Sequence, residues 1–80
     1  MNDEIMPLSC MPVGEKCTVK SLCSTGKERN RMLDLGIVNN SQISVLQKSP
    51  SGDPTAYFIK GTVIALRSED ADKILVKPIK

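Results

Sequence analysis

Cys10, Cys17 and Cys23 are the side chains of this chain best suited to nucleophilic, redox or metal chemistry, because a thiolate attacks electrophiles, exchanges with disulfides and binds soft or borderline metals. Their number is odd, no two form a Cys-x-x-Cys pair, and the chain has no histidine. Those counts argue against a disulfide framework and against a tetrahedral zinc site. The reading they favour is three reduced thiols, with Cys17 alternating with Val19 as a small apolar core residue. The competing reading is a thiolate site for iron drawn from all three, which requires a convergence that spacing does not supply.

The carboxylates Asp34, Asp53, Glu69, Asp70 and Asp72 fall on different predicted elements, where single acids serve as caps or solvated charges. No base stands beside a Ser or Cys nucleophile, so no catalytic constellation forms and the chain is read as a binding protein, not an enzyme, with no catalytic residue, metal site or cofactor. The glycines do not form a phosphate loop, since no strand leads through a Gly-rich turn of the required spacing into a helix. The cations are more informative. Lys27, Arg29 and Arg31 gather in the first half of a predicted helix, the end at which the helix dipole disfavours positive charge. Arg31 has Asp34 and Glu28 at three-residue spacing, whereas Lys27 and Arg29 have no acid three or four residues further on. As a group they are the candidate contact with an acidic partner surface. The competing surface is an apolar patch including Tyr57 or Ile64. Arg67 is expected either to bridge to Asp70 or another acid, the favoured reading, or to be exposed to a partner.

The elements that must position these residues follow from periodicity and turn chemistry. Pro7, Pro12 and Gly14 mark a lead-in with one helical turn at Leu8 to Met11, whose Leu8, Met11 and Val13 are expected to cover one end of the core. Lys16 to Leu22 alternates as a strand, with Cys17, Val19 and Ser21 on one face and Thr18, Lys20 and Leu22 on the other. Thr25-Gly26-Lys27-Glu28 has the spacing of a capping box, so a helix begins there and runs to about Leu35. Gly36 then stands at a left-handed helix stop, with Ile37 placed to meet Met32. Gln42 to Lys48, Thr55 to Ile59 and Thr62 to Leu66 read as a three-stranded meander joined by the Ser49–Pro54 turn cluster and by Lys60-Gly61. Ser68 is expected to cap a helical turn through Lys73. A last strand, Ile74 to Ile79, is expected at an edge or fraying at its end because Pro78 has no ladder donor.

Composition bounds the rest. Eighty residues make a single domain over 1–80, and 40% apolar with 25% charged residues is the make-up of a soluble globular fold. One Tyr, one Phe and no Trp leave little for base stacking, and a net charge of +2 is too weak a bias to imply a nucleic-acid partner. No apolar run reaches the roughly 18 residues of a spanning helix, and Asp3 and Glu4 stand where a signal peptide would be basic, so the expected location is cytoplasmic. Five short strands with two helical pieces fit a small barrel, mainly β, better than an open sheet, since closure hides edges.

Arg31-Met32-Leu33-Asp34-Leu35-Gly36-Ile37 and Pro50-Ser51-Gly52-Asp53-Pro54, followed by Gly61 and Ala65-Leu66-Arg67, together resemble the FeoA family, ferrous iron transport protein A. The likeness runs from Leu8 and Gly14 through Ala71 and Ile74-Leu75-Val76. It implies an SH3-like barrel, a cytosolic location, and association with a FeoB-type membrane GTPase transporter, through which alone the chain would meet the membrane. Two other readings accompany it: the SH3-like accessory domain at the C-terminus of metal-dependent repressors, for whose winged helix eighty residues leave no room, and a direct chaperone for ferrous iron using Cys10, Cys17 and Cys23. The chain departs from the family pattern at Asn39-Asn40, where a Pro-Gly turn is common; Asn tolerates the left-handed region next best after Gly, so the turn is expected to be kept. The cysteines are not part of that pattern.

Overall fold

The computed structural model describes residues 4–79. Its strands form where the sequence alternates: β1 (Met6–Pro7), β2 (Lys16–Leu22), β3 (Gln42–Lys48), β4 (Thr55–Ile59), β5 (Thr62–Leu66) and β6 (Ile74–Pro78). Between them stand a 3-10 turn at Leu8–Cys10 and two helices, α1 (Gly26–Asp34) and α2 (Ser68–Ala71). The strands build one antiparallel sheet in the order β1-β6-β2-β3-β4-β5.

Inward side chains of that sheet bury one continuous core. Cys17 and Val19 of β2, Ile43 and Val45 of β3, Tyr57 and Ile59 of β4, Leu66 of β5, and Ile74 and Val76 of β6 are each at most 2% exposed. Leu8, Met11, Met32, Ile37 and Ala71 join the same cluster from the turn, the helices and the loop after α1. With so few aromatic residues the core is aliphatic, each buried Ile or Leu side chain stabilising by about 2 kcal/mol.

Several expectations meet corrections here. Val13 is 49% exposed and covers no part of the core, because the chain turns outward at Pro12 and Gly14. The alternation of β2 breaks after Val19, where a bulge leaves Lys20 out of the ladder with β6. One extra residue reverses the faces beyond it, so Ser21 is exposed and Leu22 packs against the core. The last strand is not an edge: β6 lies between β2 and β1, which pairs Met6 with Val76 and Pro7 with Leu75. The mainly β architecture with one short helix and a helical turn stands, as one six-stranded sheet. Strands β1 and β5 end the strand order on opposite sides, and no ladder joins them among the described residues.

Candidate functional site

Helix α1 carries the three cations, and its ends explain their exposure. Thr25 takes the extended N-cap conformation, yet its hydroxyl makes no capping bond. Glu28, the other half of the expected capping box, instead pairs with Lys73 Nζ at 2.6 Å. A charge-assisted bond to an ammonium outcompetes a neutral backbone N–H, and the same bond, with the Glu28 charge, raises the Lys73 pKa. The other end closes as the sequence predicts. The Gly36 N–H donates to the Leu33 carbonyl and the Ile37 N–H to the Met32 carbonyl, both at 3.0 Å, with Gly36 at φ +90°. This is the Schellman pattern.

The three cations do not behave as one group. Lys27 is exposed and makes no ion pair among the described residues. Arg29 reaches back, its Nη1 donating to the Leu22 carbonyl at 3.5 Å. Arg31 Nη1 lies 3.9 Å from Asp70 Oδ2 on α2, in place of the local partners Asp34 and Glu28. With a 63% exposed guanidinium, that pair contributes little to stability. It does turn Arg31 toward a cleft of about 340 Å³ that Arg67, Glu69, Asp70, Ala65 and Pro54 also line. Arg67 therefore stands near Asp70 without bridging to it.

Asp53 has a role that turn chemistry alone did not assign. From the β3–β4 loop its Oδ1 accepts the Ser68 N–H at 2.7 Å, and its Oδ2 the Ser68 hydroxyl at 3.4 Å. It thereby satisfies an orphan donor at the start of α2. Ser68 is thus the first helical residue and Arg67 the N-cap. The local signal, Ser68 as its own cap, hides a partner fifteen residues upstream.

The cysteines do not converge. Cys17 is fully buried on β2, where burial pushes its thiol up to about 11, and its Sγ donates weakly to the Ile43 carbonyl at 3.6 Å. Such a shift keeps the thiol protonated at neutral pH, the form that is a poor nucleophile. Cys10 and Cys23 are exposed. Among the described residues no three of His, Cys, Asp and Glu gather where a metal ion could be held. Asp72 accepts a hydrogen bond from the Ser9 hydroxyl.

The competing apolar surface needs correction. Tyr57 is 2% exposed and Ile64 packs against the core, so neither presents a patch. Their neighbours do: Phe58 is 42% and Val63 61% exposed, and the two are cross-strand partners. Register continues this outer row through Ser44 to Lys16. A shallow cleft there is lined by Lys16, Gln42, Ser44, Phe58, Lys60 and Gly61. Strand period separates Tyr57 from Phe58, but both sets are apolar, so alternation does not say which faces inward.

Residues 6–78 match the family model described as the FeoA domain. A fusion protein of Porphyromonas gingivalis, Fe(2+) transport protein A joined to Fe(2+) transporter FeoB, is 36% identical over 74 residues, 92% of this chain. The chain spans 9% of that relative's length. Among solved structures, a FeoA-like protein from Clostridium acetobutylicum superposes with a TM-score of 0.89 at 30% identity, covering 100% of this chain and 92% of that one. The zinc complex of FeoA from Stenotrophomonas maltophilia, described as a prokaryotic SH3 domain protein, gives 0.81 at 26% identity, covering 90% and 89%. The fold is therefore SH3-like. No helix among the described residues is long and apolar enough to cross a membrane.

Proposed function

The chain belongs to the FeoA domain family, and on that premise we propose that it is a cytoplasmic accessory protein of ferrous iron uptake that binds a FeoB-type membrane GTPase transporter and modulates its assembly or activity. The observation that carries this reading is the Porphyromonas gingivalis relative, in which a FeoA part and a FeoB transporter share one chain. Covalent linkage holds two modules at high effective concentration, which two separate chains reach by binding. Among the described residues no three His, Cys, Asp or Glu side chains gather as a metal site, which supports a binding module over iron carriage.

The basic face of α1 contributes to that contact. Lys27 has no ion-pair partner among the described residues, Arg29 makes only a long, exposed 3.5 Å contact with the Leu22 carbonyl, and Arg31 aims at the cleft beside α2. Exposed charges of this kind act chiefly through association rate, and salt screens them, the Debye length falling to roughly 3 Å at 1 M. The test is binding of the purified cytosolic part of a FeoB-type transporter at low and high salt, for wild type and for Lys27→Glu with Arg29→Glu. The double reversal is expected to leave the fold intact, to weaken binding about tenfold at low salt, and to lose its difference from wild type at high salt. Unchanged affinity in the variant removes the basic face from the contact. A wild type that does not bind at all removes the transporter.

A further inference from the structure

The two edges of the sheet are built differently. Strand β1 is two residues long and ends in Pro7, both of which blunt an edge against further pairing. Strand β5, Thr62-Val63-Ile64-Ala65-Leu66, has five residues, no charge and no proline, and pairs with β4 without a register shift. Strands β2 and β3, by contrast, each carry a bulge.

Register fixes which backbone groups β5 leaves open. Lys60 at φ +49° and Gly61 at φ +80° make the two-residue turn of a tight hairpin. In such a hairpin the flanking pair, Ile59 with Thr62, exchanges both hydrogen bonds, and pairs two residues on do so again. Thr62, Ile64 and Leu66 therefore direct N–H and C=O toward β4, while Val63 and Ala65 direct theirs outward. No backbone hydrogen bond from elsewhere in the described chain reaches either residue. Their side chains are exposed on the outer face, Val63 beside Phe58.

Charge decides what this edge accepts. Lys60 and Arg67, both exposed, stand just beyond its two ends, and neither forms an ion pair among the described residues. The cleft at the Lys60 end is lined by two lysines and no acid, and in the cleft at the Arg67 end the two acids Glu69 and Asp70 are matched by Arg31 and Arg67. A second copy, paired antiparallel about Ile64 so that all the open groups match, sets Arg67 of each copy beside Gly61 and Lys60 of the other, cation against cation twice. A parallel copy, whose ladder needs a one-residue offset, sets Lys60 of one copy beside Gly61 and next to Lys60 of the other. We propose that the outward edge of β5 is a strand-docking site for an extended segment of a partner protein, apolar at alternate positions and acidic at both ends. The backbone groups of Val63 and Ala65 supply the ladder, Val63 and Phe58 the apolar contact, and Lys60 and Arg67 the end charges. This site is separate from the basic face of α1 and does not depend on which protein supplies the strand.

The probe is a capped synthetic peptide of sequence Glu-Thr-Val-Thr-Val-Thr-Glu, with a counterpart carrying Lys at both ends. Amide hydrogen exchange is read residue by residue on the full chain. With the acidic peptide in excess, exchange at Val63 and Ala65 is expected to slow at least about tenfold, while Thr62 and Ile64 stay unchanged. Val63→Pro removes an outward donor that β4 does not use and should abolish the protection at Ala65 at wild-type melting temperature. If that variant unfolds, Lys60→Glu with Arg67→Glu serves instead and should reverse the preference between the peptides. Lys27→Glu with Arg29→Glu should bind the peptide like wild type. Absent protection by the acidic peptide, or equal protection by the lysine peptide, overturns the proposal. So does protection without peptide that grows with protein concentration alongside a doubled mass, which assigns the edge to a second copy.

Discussion

The two helices show how differently one chain can finish a structural element. Helix α1 stops by means of its neighbours: Gly36 turns left-handed, and Leu33 and Met32 receive the N–H groups of Gly36 and Ile37. Helix α2 starts by means of a stranger, the Asp53 carboxylate presented by the loop between β3 and β4. The same division runs through their charges. Glu28 and Arg31 of α1 ignore the acid and base spacing within their own helix and pair with Lys73 and Asp70. Local sequence thus controls where a backbone must change direction, and assembly of the sheet controls which side chain answers an exposed donor or charge.

The strongest test of that comparison is at Gly36. Its φ of +90° is costly for any residue with a Cβ, and an added Cβ would lie 3.3 Å from Lys60 Cδ, the stem of a flexible side chain that can give way. Strain therefore outweighs crowding. Gly36→Ala should destabilise by about 1 kcal/mol and the β-branched Gly36→Val by about 2 kcal/mol, seen as a lower thermal midpoint. Equal midpoints for wild type and Gly36→Val would break the claim that α1 ends locally.

Asp53→Ala probes the distant cap. Removing the carboxylate leaves the Ser68 N–H without its acceptor and should cost about 1 kcal/mol. The bonds from the Ser49 and Ser51 hydroxyls to the Asp53 backbone carbonyl remain in that variant, so the loss is chargeable to the cap. Faster amide exchange at Ser68 is the specific readout, and an unchanged rate would show that water serves as well as Asp53.

The smallest effect sharpens the contrast. Thr25 has the identity and backbone of an N-cap but makes no capping bond. Thr25→Ala should therefore change stability by less than about 0.5 kcal/mol, below the range of a functioning Thr cap. A loss near that of Asp53→Ala would mean that the capping box closes in solution and that Glu28 divides its time between Thr25 and Lys73.

Strand boundaries were the most legible part of this protein. Lys16–Leu22, Gln42–Lys48, Thr55–Ile59 and Thr62–Leu66 can be read from alternation bounded by turn residues, because a pleated strand half-buried in a small core leaves that pattern in its sequence. Gly36, the Asn39-Asn40 turn with Asn40 at φ +72°, and the Lys60-Gly61 hairpin were legible for a similar reason: few residues tolerate a left-handed backbone. Candidate site residues were harder. The basic composition of α1 was visible, but not that Lys27 alone of the three would lack a partner among the described residues, since the partners of Arg29 and Arg31 come from β2 and α2.

Sequence by itself thus determined the class of fold, its family and the positions of its turns, all of which depend on residue type at short spacing. Tertiary structure decided what spacing cannot express. The bulge after Val19 exchanged the faces of Ser21 and Leu22, β1 moved β6 away from the edge, and packing chose Tyr57 over Phe58 for the interior. It also left β5 with no second strand partner among the described residues, because whether a strand's outer N–H and C=O groups find a partner depends on how the whole sheet curls.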